Sequence, residues 1–271
     1  MTKVTRIIIQ QKNKHRFNVF IDDGQGETYG FSVDEDVLIE TGLKKGMELD
    51  SSTIALLIQK DNLQKAYSLA LNYLSYRMRS KKEIVDYLMK KEVDSEQIQH
   101  IIDRLVQEKL LNDKEFAIAL VNTRMHTSSK GPMLLKKELI EKGISPAVID
   151  EALATFTYEM QYEKAAKWVT KKLSVTSKKS FKQQIQNLQQ TLIQKGFTND
   201  VIRDVLAEAQ EEKSTDTEKM AVAFQGEKLW RKYSTKAQGA ELKQKVKGGL
   251  YRKGFDISLI DEFIEEQSNE G

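Results

Sequence analysis

A short segment recurs along this 271-residue chain, and its spacing constrains the fold more than any other feature. Each copy begins with leucine and ends with Lys-Gly and a hydrophobic residue, and the three full copies occupy residues 139–144, 192–197 and 250–255. A degenerate copy, in which glutamate replaces the glycine, occupies residues 88–93. Successive copies lie 51, 53 and 58 residues apart. A near-constant period of this length is typical of stacked helical units that bury their apolar faces against one another.

The residues around the repeat predict three helices in each unit. Every copy is followed by a residue that can cap a helix and then by apolar residues at helical spacing. In the second unit, we predict helices over about 114–123, 133–141 and 146–155. Gly143 suits the left-handed position that ends the second of these helices, and Pro146 suits the first turn of the third. In the last two units the second helix is predicted to be about two turns longer.

Residues 1–50 have a different pattern. Apolar and polar residues alternate over 17–21 and 29–33, which predicts a module with about three short antiparallel strands. A short helix over about 34–40 should follow and end at Gly42. A module of this size is marginally stable alone, so we expect it to pack on the helix that follows.

The sequence therefore predicts a mainly α protein, a tandem array of three-helix repeats preceded by a small N-terminal β-rich module. A helix that begins near Ser51 should run toward Tyr76, with Asp61-Asn62 as a candidate interruption. The predicted boundaries are 1–50 for the module, 51–65 for a linking helix, and 66–112, 113–157, 158–210 and 211–267 for repeats 1 to 4.

The composition argues against several classes of protein. Cysteine is absent, which fits a reducing compartment and excludes a disulfide framework or a thiolate metal site. No apolar run suits a signal peptide or approaches the roughly 20 residues of a membrane helix. We expect a cytoplasmic protein and no membrane partner.

No catalytic constellation is visible in the sequence. The three histidines, His15, His100 and His126, are far apart, and none has the HExxH spacing of a metalloprotease. We predict that His126 lies in a basic surface loop and that His100 is partly buried on a helix. With no Ser-His-Asp, Cys-His or paired-carboxylate pattern, we expect a protein that is not an enzyme and that needs no cofactor or metal.

Positive charge is concentrated before the Lys-Gly copies. The windows 66–82, 116–137, 164–199 and 228–253 hold 25 bases and one acid, whereas the segments that follow the copies hold 18 acids and two bases. A basic stripe is the electrostatic footprint expected for a phosphate backbone or an acidic protein groove. The alternative for any single lysine is a solvated surface charge.

Four aromatic residues lie among these bases and would allow stacking on unpaired nucleic-acid bases: Trp168, Phe181, Trp230 and Tyr233. For Trp168 and Trp230 we favour packing against the core. The candidate partner-binding or nucleic-acid-binding residues are Arg77, Arg79, Lys81, Lys82, Arg124, Lys130, Lys136, Lys137, Lys171, Lys172, Lys178, Lys179, Lys182, Arg231, Lys232, Lys236, Lys243 and Lys247.

Three segments resemble the RecX family of recombination regulators. Residues 70–84 resemble the opening of the family's first repeat, 110–117 its first junction, and 130–144 its central motif. The resemblance is most specific over 66–157 and extends more loosely into the third repeat. The β-rich extension and the fourth repeat are similar to those of longer members from Gram-positive bacteria.

The resemblance implies a regulator of DNA repair that binds the RecA recombinase filament on single-stranded DNA and mainly inhibits its recombinase and ATPase activities. Single-stranded DNA would be contacted directly or through RecA, and we expect a monomer. One alternative is a protein that binds DNA without RecA, because a three-helix unit resembles helix-turn-helix modules. Another is a scaffold for an unrelated partner. We expect the Lys-Gly repeat itself to end helices and to contact nothing.

Overall fold

The structure is a computed structural model that describes residues 1–175, 177–211 and 215–269. The chain forms two compact units, one of residues 1–116 with 142–144 and one of the remaining described residues. The predicted boundary between repeats 3 and 4 lies beside residues 212–214, which are outside the described residues.

The first unit contains the sheet and the first helices. In chain order its elements are β1 Thr2–Ile9, β2 Arg16–Asp22, β3 Glu27–Asp34, α1 Glu35–Thr41, β4 Glu48–Leu49, α2 Ser51–Ser75, α3 Lys81–Met89 and α4 Ser95–Gln107. Helix α5, Asp113–Thr127, begins in this unit and ends in the second. The second unit continues with α6 Pro132–Glu141, α7 Pro146–Ala154, α8 Tyr158–Leu173, α9 Phe181–Lys195, α10 Asn199–Glu211, α11 Thr215–Ser234, α12 Gly239–Arg252 and α13 Ile257–Asn269.

The β-rich module is an antiparallel sheet with the strand order β3-β2-β1-β4. Its inward residues Val4, Val19 and Val33 are fully buried, which is the consequence of the alternation in the sequence. The three long strands confirm the prediction. β4 was not predicted, because two residues are too few to show an alternating pattern. The short helix α1 ends, as predicted, at a left-handed Gly42 with φ 61°.

Helix α2 is continuous, so the predicted interruption at Asp61 is wrong. The Asp61 carboxylate is buried, and Arg16 donates two hydrogen bonds to it, at 3.1 and 2.9 Å. The backbone N–H of Asp34 donates a third at 2.9 Å, and the Lys65 ammonium lies 2.8 Å away. Asp61 therefore ties the sheet to α2, and the module packs on the following helix as expected.

Three-helix repeats follow the module, and with it they confirm the predicted fold class. Repeat 1 is built from the end of α2 with α3 and α4, and repeats 3 and 4 from α8–α10 and α11–α13; each of these buries its own apolar cluster. In repeat 2, α5 precedes α6 and α7, which contact each other. The second helices of repeats 3 and 4, α9 and α12, are 15 and 14 residues long, against 9 and 10 in repeats 1 and 2.

Each copy of the Lys-Gly repeat forms a corner at which a second helix ends. Gly143, Gly196 and Gly254 have φ of 76°, 80° and 79°, the left-handed region in which glycine is favoured. Glu92 takes the same role in the degenerate copy, with φ 60°. The predicted function as a helix terminator is confirmed.

Within the fold, the repeat also makes contacts that the sequence did not predict. In the second unit, the start of α6 docks on the corner that follows α9. The Gly131 N–H donates to the Lys195 carbonyl at 2.7 Å, and the Met133 N–H donates to the Gly196 carbonyl at 2.9 Å. These amides belong to the start of a helix, where N–H groups lack partners within the helix, so the next repeat supplies their acceptors.

The other two glycine corners also contact the start of the preceding repeat's second helix, but through side chains rather than backbone hydrogen bonds. In the second unit, Ser180, the N-cap of α9, donates through its hydroxyl to the carbonyl of Lys253. In the first unit, Gly143 lies against Lys82 in the first turn of α3, and a Cβ added to Gly143 would be only 2.8 Å from the Lys82 Cβ. At each of these three corners, therefore, the start of the preceding repeat's second helix packs against the glycine turn.

At Gly143 and Gly196, close approach is a second reason for glycine, in addition to the left-handed backbone. A Cβ on Gly196 would lie 2.7 Å from the Leu134 backbone nitrogen, and one on Gly131 would lie 2.4 Å from the Gly196 carbonyl oxygen. Glu92 is exposed, and its repeat is preceded by the sheet and the start of α2 rather than by another three-helix unit. An open corner tolerates a side chain, which accounts for the degenerate copy.

We predict that replacing Asp61 with asparagine destabilises the protein by about 3–5 kcal/mol, because the substitution leaves the largely buried Arg16 guanidinium without its counter-charge. Burial favours the neutral carboxyl group, but the hydrogen bonds from Arg16 and Lys65 outweigh it and lower the pKa of Asp61. The stabilisation that the charged Asp61 contributes is therefore lost as the pH falls through the folded pKa. The measurement is urea unfolding at pH 7. A loss below about 0.5 kcal/mol, the range of ordinary surface substitutions, would contradict the role assigned to Asp61.

We further predict that substitutions change stability in opposite ways at Gly196, where a helix packs on the corner, and at the open corner of Glu92. Gly196→Ala should cost about 2–4 kcal/mol of unfolding free energy, from left-handed strain and from the clash with α6. Glu92→Gly, the matched control, should be neutral or stabilising within about 1 kcal/mol, because it removes strain without altering a joint. Equal effects of the two substitutions on the unfolding midpoint would refute the joint.

Candidate partner-binding surface

The arginines predicted as contacts in repeat 1 are held inside that repeat. The Arg77 guanidinium pairs with Glu83 at 2.8 Å and donates to the Met78 carbonyl at 2.8 Å. The Arg79 guanidinium lies 3.9 Å from the centre of the Tyr73 ring and donates to the Tyr73 carbonyl. Both side chains therefore fix the connection between α2 and α3.

Glu83 is the hub of this arrangement. It completes a capping box with Ser80 at the start of α3, and it accepts an ion pair from Lys142 at 2.6 Å as well as that from Arg77. Burial opposes the charged form, but the hydrogen bonds from Arg77, Lys142 and the Ser80 backbone prevail and lower the pKa of Glu83 to about 2. The carboxylate is thus charged wherever the protein functions near neutral pH.

The bases of repeat 2 are also largely neutralised. Arg124 and Lys130 both pair with Glu138, at 2.7 and 2.6 Å, and Lys136 pairs with Asp150 at 3.3 Å. Lys137 is exposed. Most of the predicted contacts in this repeat therefore bind their own fold.

Repeat 3 is different. Five exposed lysines lie on the last turn of α8, in the connection that follows and on the first turn of α9, and no described carboxylate lies within ion-pair distance of them. We call them the α8–α9 basic surface: Lys171, Lys172, Lys178, Lys179 and Lys182. Aromatic rings support two of them, since Lys172 lies 5.9 Å from the centre of Trp168 and Lys178 lies 4.2 Å from that of Phe224. Their charges remain available to a partner.

Repeat 4 contains both bases that form ion pairs and exposed lysines that do not. Arg231 pairs with Glu227 at 3.1 Å, and Lys247 forms an ion pair with Asp261. Lys232, Lys236 and Lys243 are exposed, and the part of the chain that the structure describes places no carboxylate against them. In repeat 1, the exposed Lys81 is likewise without an ion-pair partner among the described residues, whereas Lys82 packs beside the Gly143 corner.

The tryptophans pack against the cores, as favoured from the sequence. Trp168 is half-buried against the cluster of repeat 3, and Trp230 against that of repeat 4. Phe181 and Tyr233 are partly buried in the same way. These rings support lysines and the fold rather than forming an open stacking platform.

Two expectations about histidine are wrong. His126 lies in the last turn of α5 rather than in a loop, because the helix continues to Thr127. His100 is exposed on α4, since the buried face passes through Ile98, Ile101 and Leu105 and leaves residue 100 on the opposite side. Within the described ranges, no three His, Asp or Glu side chains are grouped as metal ligands, and no helix is long and apolar enough to cross a membrane.

The sequence did not reveal that third-helix acids bind tyrosines of their own repeat. Tyr158 donates to Asp204 at 2.8 Å, and Tyr162 donates to Glu208. Hydrogen bonding to Glu208 raises the pKa of Tyr162 to about 12. The matching four-residue spacing of the two tyrosines and the two acids was the signal for this pairing.

The fold defines a class of protein, a tandem three-helix-repeat protein with an N-terminal sheet. Family models match along its length: the regulatory protein RecX N-terminal domain at 2–50, and the first and second RecX three-helix domains at 66–105 and 112–153. The third RecX three-helix domain matches twice, at 159–206 and 221–264. The chain belongs to the RecX family of regulatory proteins.

Relatives named regulatory protein RecX align with nearly the whole chain. Regulatory protein RecX of Oceanobacillus iheyensis is 48% identical over 268 residues, which cover 98% of each chain. That of Halalkalibacterium halodurans is 42% identical over 266 residues, covering 98% of this chain and all of the relative. A crystal structure of regulatory protein RecX, 36% identical, matches with a TM-score of 0.67 over 76% of this chain and 98% of its own.

The Glu83 hub predicts a pH-dependent difference in stability. Glu83→Gln keeps the size of the side chain but removes its charge, and should cost about 1.5–3 kcal/mol at pH 7. The folded pKa is depressed, so this contribution is present above the unfolded pKa of about 4.3 and is lost as the pH falls toward 2. Urea midpoints of the two proteins should therefore converge as the pH is lowered. A gap that stays constant down to pH ~3, well below the unfolded pKa, would contradict the assignment.

Proposed function

We propose that this chain regulates DNA repair by binding the RecA recombinase filament on single-stranded DNA and restraining its strand exchange and ATP hydrolysis. Membership of the RecX family, with relatives named regulatory protein RecX that align over nearly the full chain, supports a regulatory role. We propose further that it acts as a cytoplasmic monomer, without catalytic activity or a cofactor of its own.

The α8–α9 basic surface is the observation that carries this proposal. Its lysines are exposed and lack carboxylate partners among the described residues, whereas Arg124 and Lys130 are neutralised by Glu138. Unneutralised cations attract an acidic protein surface or a phosphate backbone over distances of about 10 Å at moderate salt. We therefore rank this surface above the paired bases as the site of contact.

Both this chain and a protein filament are built from repeated units, which supports a filament as the partner. A filament presents the same surface many times, and this chain carries four related units, two of which match the same family domain. Several weak contacts within one chain act at high effective concentration when their spacing matches that of the partner. Lys232, Lys236 and Lys243 in repeat 4 are exposed, and are candidates for a second set of such contacts.

We predict that the triple variant Lys178→Glu, Lys179→Glu and Lys182→Glu loses at least about tenfold in affinity for RecA-coated single-stranded DNA. The loss should be larger at low salt, because the removed interactions are electrostatic. The measurement is a titration of filaments at several salt concentrations, with circular dichroism to verify the fold.

A matched control distinguishes the loss of a local contact from the effect of a change in net charge. Lys12→Glu, Lys44→Glu and Lys45→Glu also change three exposed lysines, and each triple changes the net charge from +3 to −3. The control lies in the β-rich module and should bind within about twofold of the wild type. Equal losses for the two triples, or unchanged binding by the first, would contradict the site.

Direct binding to DNA is the second candidate, and the same unneutralised lysines favour it. Bare single-stranded DNA, duplex DNA and RecA-coated DNA should be compared at about 150 mM salt, where non-specific phosphate binding is weak. A clear preference for coated DNA is the expected result. Equal or tighter binding to bare DNA would favour the second candidate.

A further inference from the structure

The connection between α2 and α3 presents two large apolar side chains to solvent. Tyr76 is 83% exposed, more than any other aromatic side chain that the structure describes, and Met78, two residues further on, is 47% exposed. Single exposed apolar residues are ordinary, but here an exposed tyrosine and an exposed methionine stand two residues apart in one short connection.

Contacts of two arginines fix the conformation of this connection. The Arg77 guanidinium binds the Met78 carbonyl and Glu83, and the Arg79 guanidinium binds the Tyr73 carbonyl and covers the Tyr73 ring. The Tyr73 ring in turn stacks on Tyr87, with 4.1 Å between the ring centres. A backbone fixed in this way loses little conformational entropy when its side chains enter a partner.

We propose that Tyr76 and Met78 form an apolar anchor that inserts into a pocket on a partner protein, and that carboxylates border that pocket. The inference rests on the proposed function, in which the partner protein is the recombinase filament. Tyrosine and methionine are enriched at protein interfaces and supply much of the binding energy when they fill pockets.

The charges around the anchor specify the chemistry of the pocket. Residues 62–82 contain no acid, and Lys81 is exposed beside the anchor, so the complementary rim is acidic. Nucleic acid is the weaker fit, because stacking sites combine aromatic rings with cations that track the phosphates. Here the neighbouring guanidiniums, Arg77 and Arg79, are already bound within the repeat.

The test is the double variant Tyr76→Ala and Met78→Ala in the full chain. We expect at least a tenfold loss of affinity for RecA-coated single-stranded DNA and an unchanged urea midpoint, since both side chains are exposed in the free protein. The matched control is Ile39→Ala with Leu56→Ala, two side chains that are 69% and 52% exposed on the N-terminal module and its helix. That control should bind within about twofold of the wild type.

The outcomes separate the anchor from the proposed function. If the lysine triple variant loses affinity and the Tyr76/Met78 variant does not, the anchor is overturned and the proposed function stands. A parallel loss on bare single-stranded DNA would also overturn the anchor, because the ring would then stack on bases. If the wild type shows no binding to coated filaments, both fail.

Discussion

The joint between a helix start and the Lys-Gly corner of the next repeat is the constraint on which the repeat architecture depends. A helix start leaves N–H groups without acceptors, and a helix end in the left-handed turn leaves carbonyls directed outward. At Gly131 and Gly196 the two needs satisfy each other through backbone hydrogen bonds of 2.7 and 2.9 Å. At this corner both groups belong to the backbone, so the contact between repeats 2 and 3 depends on no particular side chain, provided that glycine permits the approach.

The same architecture sorts the charges into two kinds. Bases close to the helix starts of repeats 1 and 2 surround Glu83 and Glu138, and they stabilise the fold. Bases of the α8–α9 surface have aromatic or solvent neighbours and keep their charge available. A count of lysines and arginines cannot separate these kinds, whereas the positions of a few carboxylates can. The contact surface that we propose is therefore much narrower than the basic windows of the sequence.

Local pattern predicted the helices, the strands and the corners because each is determined by neighbours in the chain. Alternation located β1–β3, and glycine located the ends of α1, α6 and α9. Some errors arise from contacts that are distant in sequence, and others from where a local pattern was taken to end. Asp61 suggested a helix break because its partner Arg16 lies 45 residues away. Arg77 was counted as a contact because the acid-free window 66–82 ends one residue before Glu83, which binds it.

Hydrogen exchange at the start of α6 tests the joint most directly. The amides of Gly131 and Met133 precede or begin a helix, where exchange is normally fast, yet their acceptors lie in the following repeat. The amides of Gly239 and Ala240, the first two residues of α12, have no acceptor among the described residues and serve as the comparison. Strong protection at Gly131 and Met133, with fast exchange at Gly239 and Ala240, is the result that the joint predicts. Equally fast exchange at both helix starts would contradict it.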